Sequence, residues 1–296
     1  MTAHLTRIKA RLSIHAHRKV RGLLEGEYAA IHVGRGIDFN DLREYVRGDD
    51  VKDIDWKASA RSRQLLVKRY VAERKHTVLL CVSTGRSMAA LNDAHVTKRE
   101  LAVFVSGVMG LLAVQHGDLV GLVHGDAERR HVEPPRGGEL HLERLLGTVH
   151  DAIAPDGPPA DLAALLRHVV RTIRRRTILV VVSDETAISE AAADLLRRLT
   201  AQHEVLFLTM GDLDPTAPTV FDRRLVDVDT AAEVPGWLRH DRQLRAELAD
   251  LVGQQEQQLR RRLDQLGVVH ERVRDTDSAI TAVFRLLERQ RHARRR

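Results

Sequence analysis

Short segments that are apolar along their whole length constrain this sequence most. TVLLCVS (77–83), TILVVVS (177–183) and EVLFLTM (204–210) show no regular alternation of apolar and polar residues. A strand of this kind is buried on both faces, as in a parallel sheet that helices cover on both sides. We therefore predict an α/β fold of the Rossmann-like class, in which a mostly parallel sheet carries helices on both faces.

The segments between these strands have the period of amphipathic helices. Helices are predicted at 97–117, 139–153, 162–176, 189–202, 237–265 and 278–290, and further strands at 118–125 and 268–273. The sequence RLVDVD (224–229) is predicted to be an edge strand. Ligands bind beyond the carboxyl ends of the strands in such a sheet, so the loops after Ser83, His124, Ser183 and Met210 are the candidate functional loops.

The first quarter of the chain has a different pattern. Residues 2–24 have roughly helical spacing, and residues 27–75 lose this periodicity and contain several glycines, which predicts short strands and loops. The apolar face of the first helix is narrow and lacks Trp and Phe, which favours packing on its own domain over adsorption to a membrane. We expect residues 1–76 to form a helix and an irregular segment packed on a main domain of residues 77–296.

Charge is distributed unevenly along the chain. Residues 1–75 contain 17 basic and 10 acidic residues, whereas the whole chain contains 47 and 41. Binding of nucleic acid or another anionic surface by this segment is therefore an alternative function, and it would weaken steeply with salt. Only 10 of the 296 residues are aromatic, which disfavours recognition of single strands by base stacking.

The single cysteine, Cys81, excludes an intrachain disulfide and every motif that needs a cysteine pair. We interpret it as a buried apolar residue of its strand. The longest uncharged apolar stretch, 101–114, is too short to span a bilayer, and the N-terminus lacks the apolar core of a signal peptide. We expect a cytoplasmic protein. The sequence has no H-E-x-x-H array and no phosphate loop, so we predict no cofactor.

A block of closely spaced motif residues occupies positions 30–80. It reads G-x-G-x-D-F, then R-x-Y-x-x-G-D-D, then I-D-W-x-x-x-A-R, then E-R. The motif residues are Gly34, Gly36, Phe39, Arg43, Tyr45, Gly48, Asp49, Asp50, Ile54, Asp55, Trp56, Ala60, Arg61, Glu73 and Arg74, with Asp38 and Lys52 at two further motif positions. This block resembles the diagnostic region of a bacterial family called domain of unknown function fifty-eight, and similarity extends over nearly the whole chain.

The resemblance implies a von Willebrand factor A-like sheet in a protein that is frequently encoded beside an AAA+ ATPase of the MoxR type. It also implies an adaptor or assembly factor rather than an enzyme. The expected partner is therefore a protein, either a MoxR-type ATPase or its client, and nucleic acid is the less favoured ligand.

The loop after the first apolar strand departs from the metal-binding pattern of von Willebrand A domains. Those domains carry D-x-S-x-S, whereas this loop has Ser83 in place of the carboxylate and Gly85 in place of the first hydroxyl. Ser87 and Asp184 still match, but loss of the carboxylate removes the main attraction for a divalent ion, and Arg86 adds a positive charge. We expect a degenerate metal-ion-dependent adhesion site without metal, where Arg86 contacts a partner carboxylate.

Four aspartates between Asp49 and Asp55 allow two interpretations. They could hold a hard cation for a metal-dependent hydrolase, although no paired base or nucleophile lies at a recognisable spacing. Alternatively Asp49, Asp50 and Asp55 pair with Arg43, Arg47, Arg61 and backbone N–H groups, while Trp56 anchors the segment against the sheet. We favour this structural interpretation.

Overall fold

The computed structural model describes residues 3–15, 24–28, 41–46, 54–62, 64–69, 75–185, 189–237 and 241–294. Much of the family block lies outside these residues. The motif positions outside them are Gly34, Gly36, Asp38, Phe39, Gly48, Asp49, Asp50, Lys52, Glu73 and Arg74.

The N-terminal region contains helices and a small sheet. Helix α1 spans His4–His15, strand β1 spans Asp41–Glu44, helix α2 spans Trp56–Ser62 and strand β2 spans Leu66–Arg69. Strands β1 and β2 pair antiparallel in a sheet of their own. The sequence pattern does not predict α2, because its seven residues span too few turns to show a helical period.

The main sheet has six strands. They are β3 (Thr77–Ser83), β4 (Leu119–Gly125), β5 (Arg130–Arg136), β6 (Ile178–Asp184), β7 (Glu204–Met210) and β8 (Val269–Val273). Their order is β5-β4-β3-β6-β7-β8, and each neighbouring pair is parallel except β4 and β5. The predicted mostly parallel sheet is confirmed, and the carboxyl ends of five strands meet at one edge.

Helices cover both faces of this sheet. They are α3 (Lys98–Gln115), α4 (Glu139–Ala152), α5 (Leu162–Thr172), α6 (Glu190–Gln202), α7 (Arg242–Gln265) and α8 (Thr276–Arg294). One core holds α3, α4 and α8 against alternate residues of β3, and the other holds α5, α6 and Leu263 of α7 against the remaining ones. Both faces of β3 are therefore buried, which explains its continuous apolar sequence. None of the helices in the described parts of the chain combines the length and apolar character needed to cross a membrane.

Helix α1 packs on the main domain, as its narrow apolar face predicts. Leu5 and Ile8 are 6% and 2% exposed and belong to the core formed with α3 and α4. A Cβ atom at Gly107 of α3 would lie 2.2 Å from Ile8 Cδ1, so the glycine permits this close approach. The apolar face of α1 is thus buried inside the protein.

The prediction of an edge strand at 224–229 is wrong. Val226 forms only an isolated bridge to Glu233, and the two edges of the main sheet are β5 and β8. Strand β5 contains Pro134 and Pro135, which resemble a loop in the sequence and are tolerated in a strand only where an N–H can go unpaired. An edge strand meets that condition.

Candidate functional site

The loop that follows β3 begins at the carboxyl edge of the sheet. Ser83 and Ser87 are 1% and 7% exposed, and Arg86–Ala89 form a short 3-10 helix. The Thr84 N–H donates to the Gly125 carbonyl at 2.9 Å, which ties this loop to the end of β4. The sequence-predicted loop therefore lies at the edge where the strands end, and it is mostly buried.

A second loop crosses over the first one. The Arg86 N–H donates to the Pro158 carbonyl at 2.8 Å, and the Ala127 N–H donates to the Pro159 carbonyl at 2.9 Å. A Cβ atom at Gly85 would lie 2.3 Å from the Ala160 backbone nitrogen. Because the obstacle is backbone, a serine hydroxyl at position 85 could not be introduced without moving the loop.

The second acidic position of the predicted metal site already faces a cation. Asp184 is 5% exposed at the end of β6, and one of its carboxylate oxygens lies 3.8 Å from Lys98 Nζ. The same ammonium group also forms an ion pair with Asp212 in the loop after β7. The Lys98 side chain is only 1% exposed, so its charge depends on these two carboxylates.

Lys98 is a site residue that the sequence reasoning missed. It is the one lysine after Lys75 in a chain that otherwise uses Arg. It occupies the first position of α3, directly after the N-cap residue Thr97, where the helix dipole disfavours a cation. The signal in the sequence that could have identified this site residue was a lone lysine in an unfavourable position. The compact ammonium group of lysine suits a small buried site better than a guanidinium group does.

The residues at this edge do not fit a divalent metal ion. Ser83 supplies a hydroxyl where a carboxylate would be needed, and the ammonium group of Lys98 lies beside Asp184. Among the residues that the structure describes, no three His, Cys, Asp or Glu side chains are grouped to hold a metal. The ionic partner that the structure provides for Asp184 is therefore a side-chain cation.

A further ion pair lies at the end of β6 and β8. Arg272 pairs with Glu185, and its second guanidinium nitrogen donates to Glu185 Oε2 at 2.9 Å. Burial raises the pKa of Glu185, and the positive charge of Arg272 opposes this effect. The Arg272 guanidinium passes directly over Gly211, where a Cβ atom would lie 2.1 Å from it.

Arg86 itself lines a groove of about 530 Å³ at the ends of β3 and β4. The groove also contains His124 and His131, whose rings stack with centroids 5.2 Å apart. Burial is the main cause that lowers the pKa of His124, and His131 adds to the effect. Asp126 borders the groove, and its Oδ1 accepts hydrogen bonds from the N–H groups of Glu128 and Arg129, both at 2.8 Å.

A family model described as Protein of unknown function DUF58 matches residues 41–258, which is more than half of the chain. The chain belongs to the DUF58 family. Its relatives include the uncharacterized proteins Mb1516 of Mycobacterium bovis and Rv1480 of Mycobacterium tuberculosis. Each is 29% identical over 221 residues, which cover 74% of this chain and 69% of the relative.

Three solved structures resemble this DUF58 chain at low sequence identity. An aerotolerance-related membrane protein of Bacteroides fragilis has a TM-score of 0.46 and 12% identity, covering 72% of this chain and 99% of that one. BatB of Bacteroides thetaiotaomicron has a TM-score of 0.48 and 14% identity, covering 73% and 98%. A von Willebrand factor type A protein of Catenulispora acidiphila has a TM-score of 0.44 and 11% identity, covering 77% and 44%.

In the described part of the DUF58 block, Asp55 caps α2. Its Oδ1 accepts hydrogen bonds from the N–H groups of Lys57 and Ala58 at 3.1 and 3.0 Å. No ion pair joins Asp55 to Arg61 within the described residues, and Arg61 is exposed. The expected pairing of Asp55 with backbone N–H groups is present, whereas the expected pairing with Arg61 is not.

Trp56 does not anchor the DUF58 block against the main sheet, and that prediction is wrong. Its side chain is 63% exposed on the first turn of α2. The neighbouring Ile54 is 8% exposed, and it bridges to Val67 of β2 in the small sheet. Among the remaining described motif residues, Arg43 lies in β1 opposite Val67, Tyr45 is half-buried and Ala60 is exposed.

Two basic residues of α1 form ion pairs with other helices of the DUF58 chain. Lys9 Nζ lies 2.6 Å from Glu139 of α4, and Arg11 lies 2.9 Å from Asp277 of α8. These two ion pairs reduce the positive charge that the helix offers to an anionic surface. Cys81 is fully buried in β3, and burial raises the pKa of its thiol to about 12, which disfavours the thiolate form that a nucleophile requires.

Proposed function

We propose that this DUF58 protein is a non-catalytic interaction module that binds a protein partner at the carboxyl edge of its main sheet, without a metal ion. One observation carries the proposal: the ammonium group of Lys98 lies between the carboxylates of Asp184 and Asp212. Because the ammonium group of Lys98 already provides the cation beside Asp184, a partner gains nothing by completing the coordination of a metal there. Docking must then depend on direct contacts with side chains.

Arg86 is the docking residue in this proposal. It is half-buried, and no carboxylate of the described residues lies within 4.0 Å of its guanidinium group. A guanidinium group binds a carboxylate through two parallel hydrogen bonds, which gives both affinity and orientation. Its backbone is held by the hydrogen bond to Pro158, so the loop is fixed before a partner arrives.

The partner class comes from the family resemblance. Members of the family are frequently encoded beside MoxR-type AAA+ ATPases, so we propose such an ATPase or its client as the partner, in the cytoplasm. A catalytic role finds no support in the buried thiol of Cys81 or in Asp55, whose carboxylate caps α2.

The test measures binding of the wild-type protein and two variants to a purified MoxR-type ATPase. We expect Arg86→Glu to weaken binding at least tenfold, about 1.4 kcal/mol, and EDTA to leave it unchanged. Arg144→Glu is the matched control, because Arg144 is exposed and pairs with Glu133 outside the groove. Binding that survives Arg86→Glu but is lost in EDTA would contradict both the site and the mechanism. If the ATPase does not bind the wild-type protein, the proposed partner is wrong.

A further inference from the structure

We propose that the groove beside Arg86 is a peptide-binding site, and that it recognises a carboxylate flanked by basic side chains. This inference rests on the proposed function, because it names the part of the partner that the docking edge would contact. It adds a ligand class and a second set of residues to that edge.

The groove is formed by three parts of the chain. The first is the ends of β3 and β4, with Thr84 and His124. The second is the turn at 126–129 with His131 of β5, and the third is the end of α4 with residues 156–158. Its volume of about 530 Å³ lies within the roughly 300–1,000 Å³ typical of ligand sites.

Two buried polar nitrogens in the groove have no partner within the described structure. His124 is 7% exposed, and its Nδ1 makes no hydrogen bond there; Nε of Arg86 is likewise buried without an acceptor. Buried polar groups are nearly always hydrogen-bonded, and an unpaired one is costly. A ligand carboxylate supplies the acceptor oxygens that Arg86 lacks and offers one to His124.

The rim of the groove indicates what must flank that carboxylate. Arg86 and Arg129 are its two basic residues apart from histidines, and neither belongs to an ion pair within the described residues. Four acidic residues lie around them: Asp126, Glu128, Asp151 and Asp156. This excess of negative charge repels a polyanion such as nucleic acid, and it attracts lysine or arginine side chains next to a single carboxylate.

A second cavity provides a contrast. It has a volume of about 420 Å³ and lies between α6 and α7. Its charged residues include Arg197 and Arg262, which pair with Asp194 and Glu190 of the same protein. Two of the three arginines that line this cavity are therefore already paired, whereas both arginines of the groove lack an internal acid among the described residues.

The test uses selection from a display library of random linear peptides on the immobilised full-length protein, followed by fluorescence anisotropy on the enriched peptides. We expect the wild-type protein to enrich peptides that contain Asp or Glu next to Lys or Arg. Arg86→Glu and Arg129→Glu should each weaken binding of those peptides at least tenfold, and Arg86→Glu should shift selection towards peptides without acidic residues. Arg129 is exposed, so its variant tests the groove even if Arg86→Glu does not fold. Arg144→Glu is the control that should change neither result.

Three outcomes would overturn the inference: enrichment of no peptide, enrichment of peptides without a carboxylate, and equal binding by wild type and both groove variants. These are distinguishable from failure of the proposed function. If partner binding depends on Arg86 but no acidic peptide is enriched, docking stands and peptide recognition is wrong. If acidic peptides are bound through Arg86 while the ATPase is bound equally well by Arg86→Glu, the groove stands and the proposed docking role is wrong.

Discussion

At the ends of β6, β7 and β8, basic side chains face carboxylates of the same protein, whereas at the ends of β3 and β4 they face a groove. We call the first group the paired half, consisting of Lys98, Asp184, Glu185, Asp212 and Arg272. The second group, Arg86, His124 and Arg129, is the open half. Both lie at one edge of one sheet. Position at this edge therefore does not by itself make a residue functional; the presence or absence of an internal partner separates the two roles.

The chemistry of the cations agrees with this division. Lys98 is a compact, buried charge that lies beside the buried Asp184 and pairs with the exposed Asp212, whereas Arg86 has a planar group with several donors that can reach an external carboxylate. The paired half is expected to contribute to folding, and the open half to binding. Each of the following changes tests that difference.

Lys98→Met is expected to have the largest effect. It removes the buried ammonium group next to Asp184, and breaking a buried ion pair costs about 3–5 kcal/mol. Denaturant unfolding measures the loss, and Lys9→Met, which breaks an exposed pair, should cost less than about 1 kcal/mol. Adding Asp184→Asn to Lys98→Met should restore part of the stability. Equal losses for Lys98→Met and Lys9→Met would show that the paired half is not structural.

Gly85→Ser should destabilise the protein by about 1–3 kcal/mol, because the new side chain would overlap the Ala160 backbone. Gly147→Ala is the matched control, since Gly147 lies in α4 and an added Cβ atom there would have no neighbouring atom within 4 Å. That control should gain about 0.5–1 kcal/mol from helix propensity. Thermal unfolding distinguishes the two, and an unchanged midpoint for Gly85→Ser would mean that the two loops are not packed as described.

Arg272→Met and Arg86→Met compare the two halves directly. Loss of Arg272 leaves Glu185 without its charged donor and should cost about 1.5–3 kcal/mol. Arg86 has no internal ion pair among the described residues, so its replacement should change the free energy of unfolding by less than about 0.5 kcal/mol. Denaturant midpoints measured side by side provide the check. A larger loss for Arg86→Met would contradict its assignment to binding.

His124 should make stability depend on pH. Its folded-state pKa lies below the ordinary value of 6.5, so the folded protein binds fewer protons than the unfolded chain in the range just below that pH. Stability is then fully present above pH 6.5 and falls as the pH drops through the lower, folded-state pKa. His4, His168, His203 and His270 are also shifted downwards, so the contribution of His124 is the difference between wild type and His124→Gln. A difference that does not change between neutral pH and about pH 5 would contradict the burial of this ring.

Addition of Mg²⁺ or EDTA is expected to have no effect. A bound ion would raise the melting temperature by an amount that depends on its concentration and affinity. With Lys98 in the site no ion binds, so the melting temperature should not change. Differential scanning fluorimetry of the wild type in each buffer measures this. An increase in melting temperature with Mg²⁺ that disappears in Asp184→Asn would show that a metal ion binds in the paired half after all.

The alternation of buried strands and amphipathic helices could be predicted from the sequence, because both patterns are local. The predicted strands at 77–83, 118–125, 177–183, 204–210 and 268–273 match β3, β4, β6, β7 and β8 within about one residue at each end. Strand β5 could not be predicted in the same way. It is exposed and contains two prolines, and it becomes a strand by pairing with β4.

By itself the sequence determined the five parallel strands of the main sheet, the helices that cover it and the loop at Ser83–Ser87, because a strand buried on both faces is apolar at consecutive residues. It also placed Arg86 and Asp184 at strand ends. Only the tertiary structure determined which charged side chains form ion pairs within the protein. Lys98 and Asp212 are 114 positions apart, and Gly85 meets Ala160 through a loop that crosses from another part of the chain. Such contacts depend on how distant segments pack, and no local period encodes them.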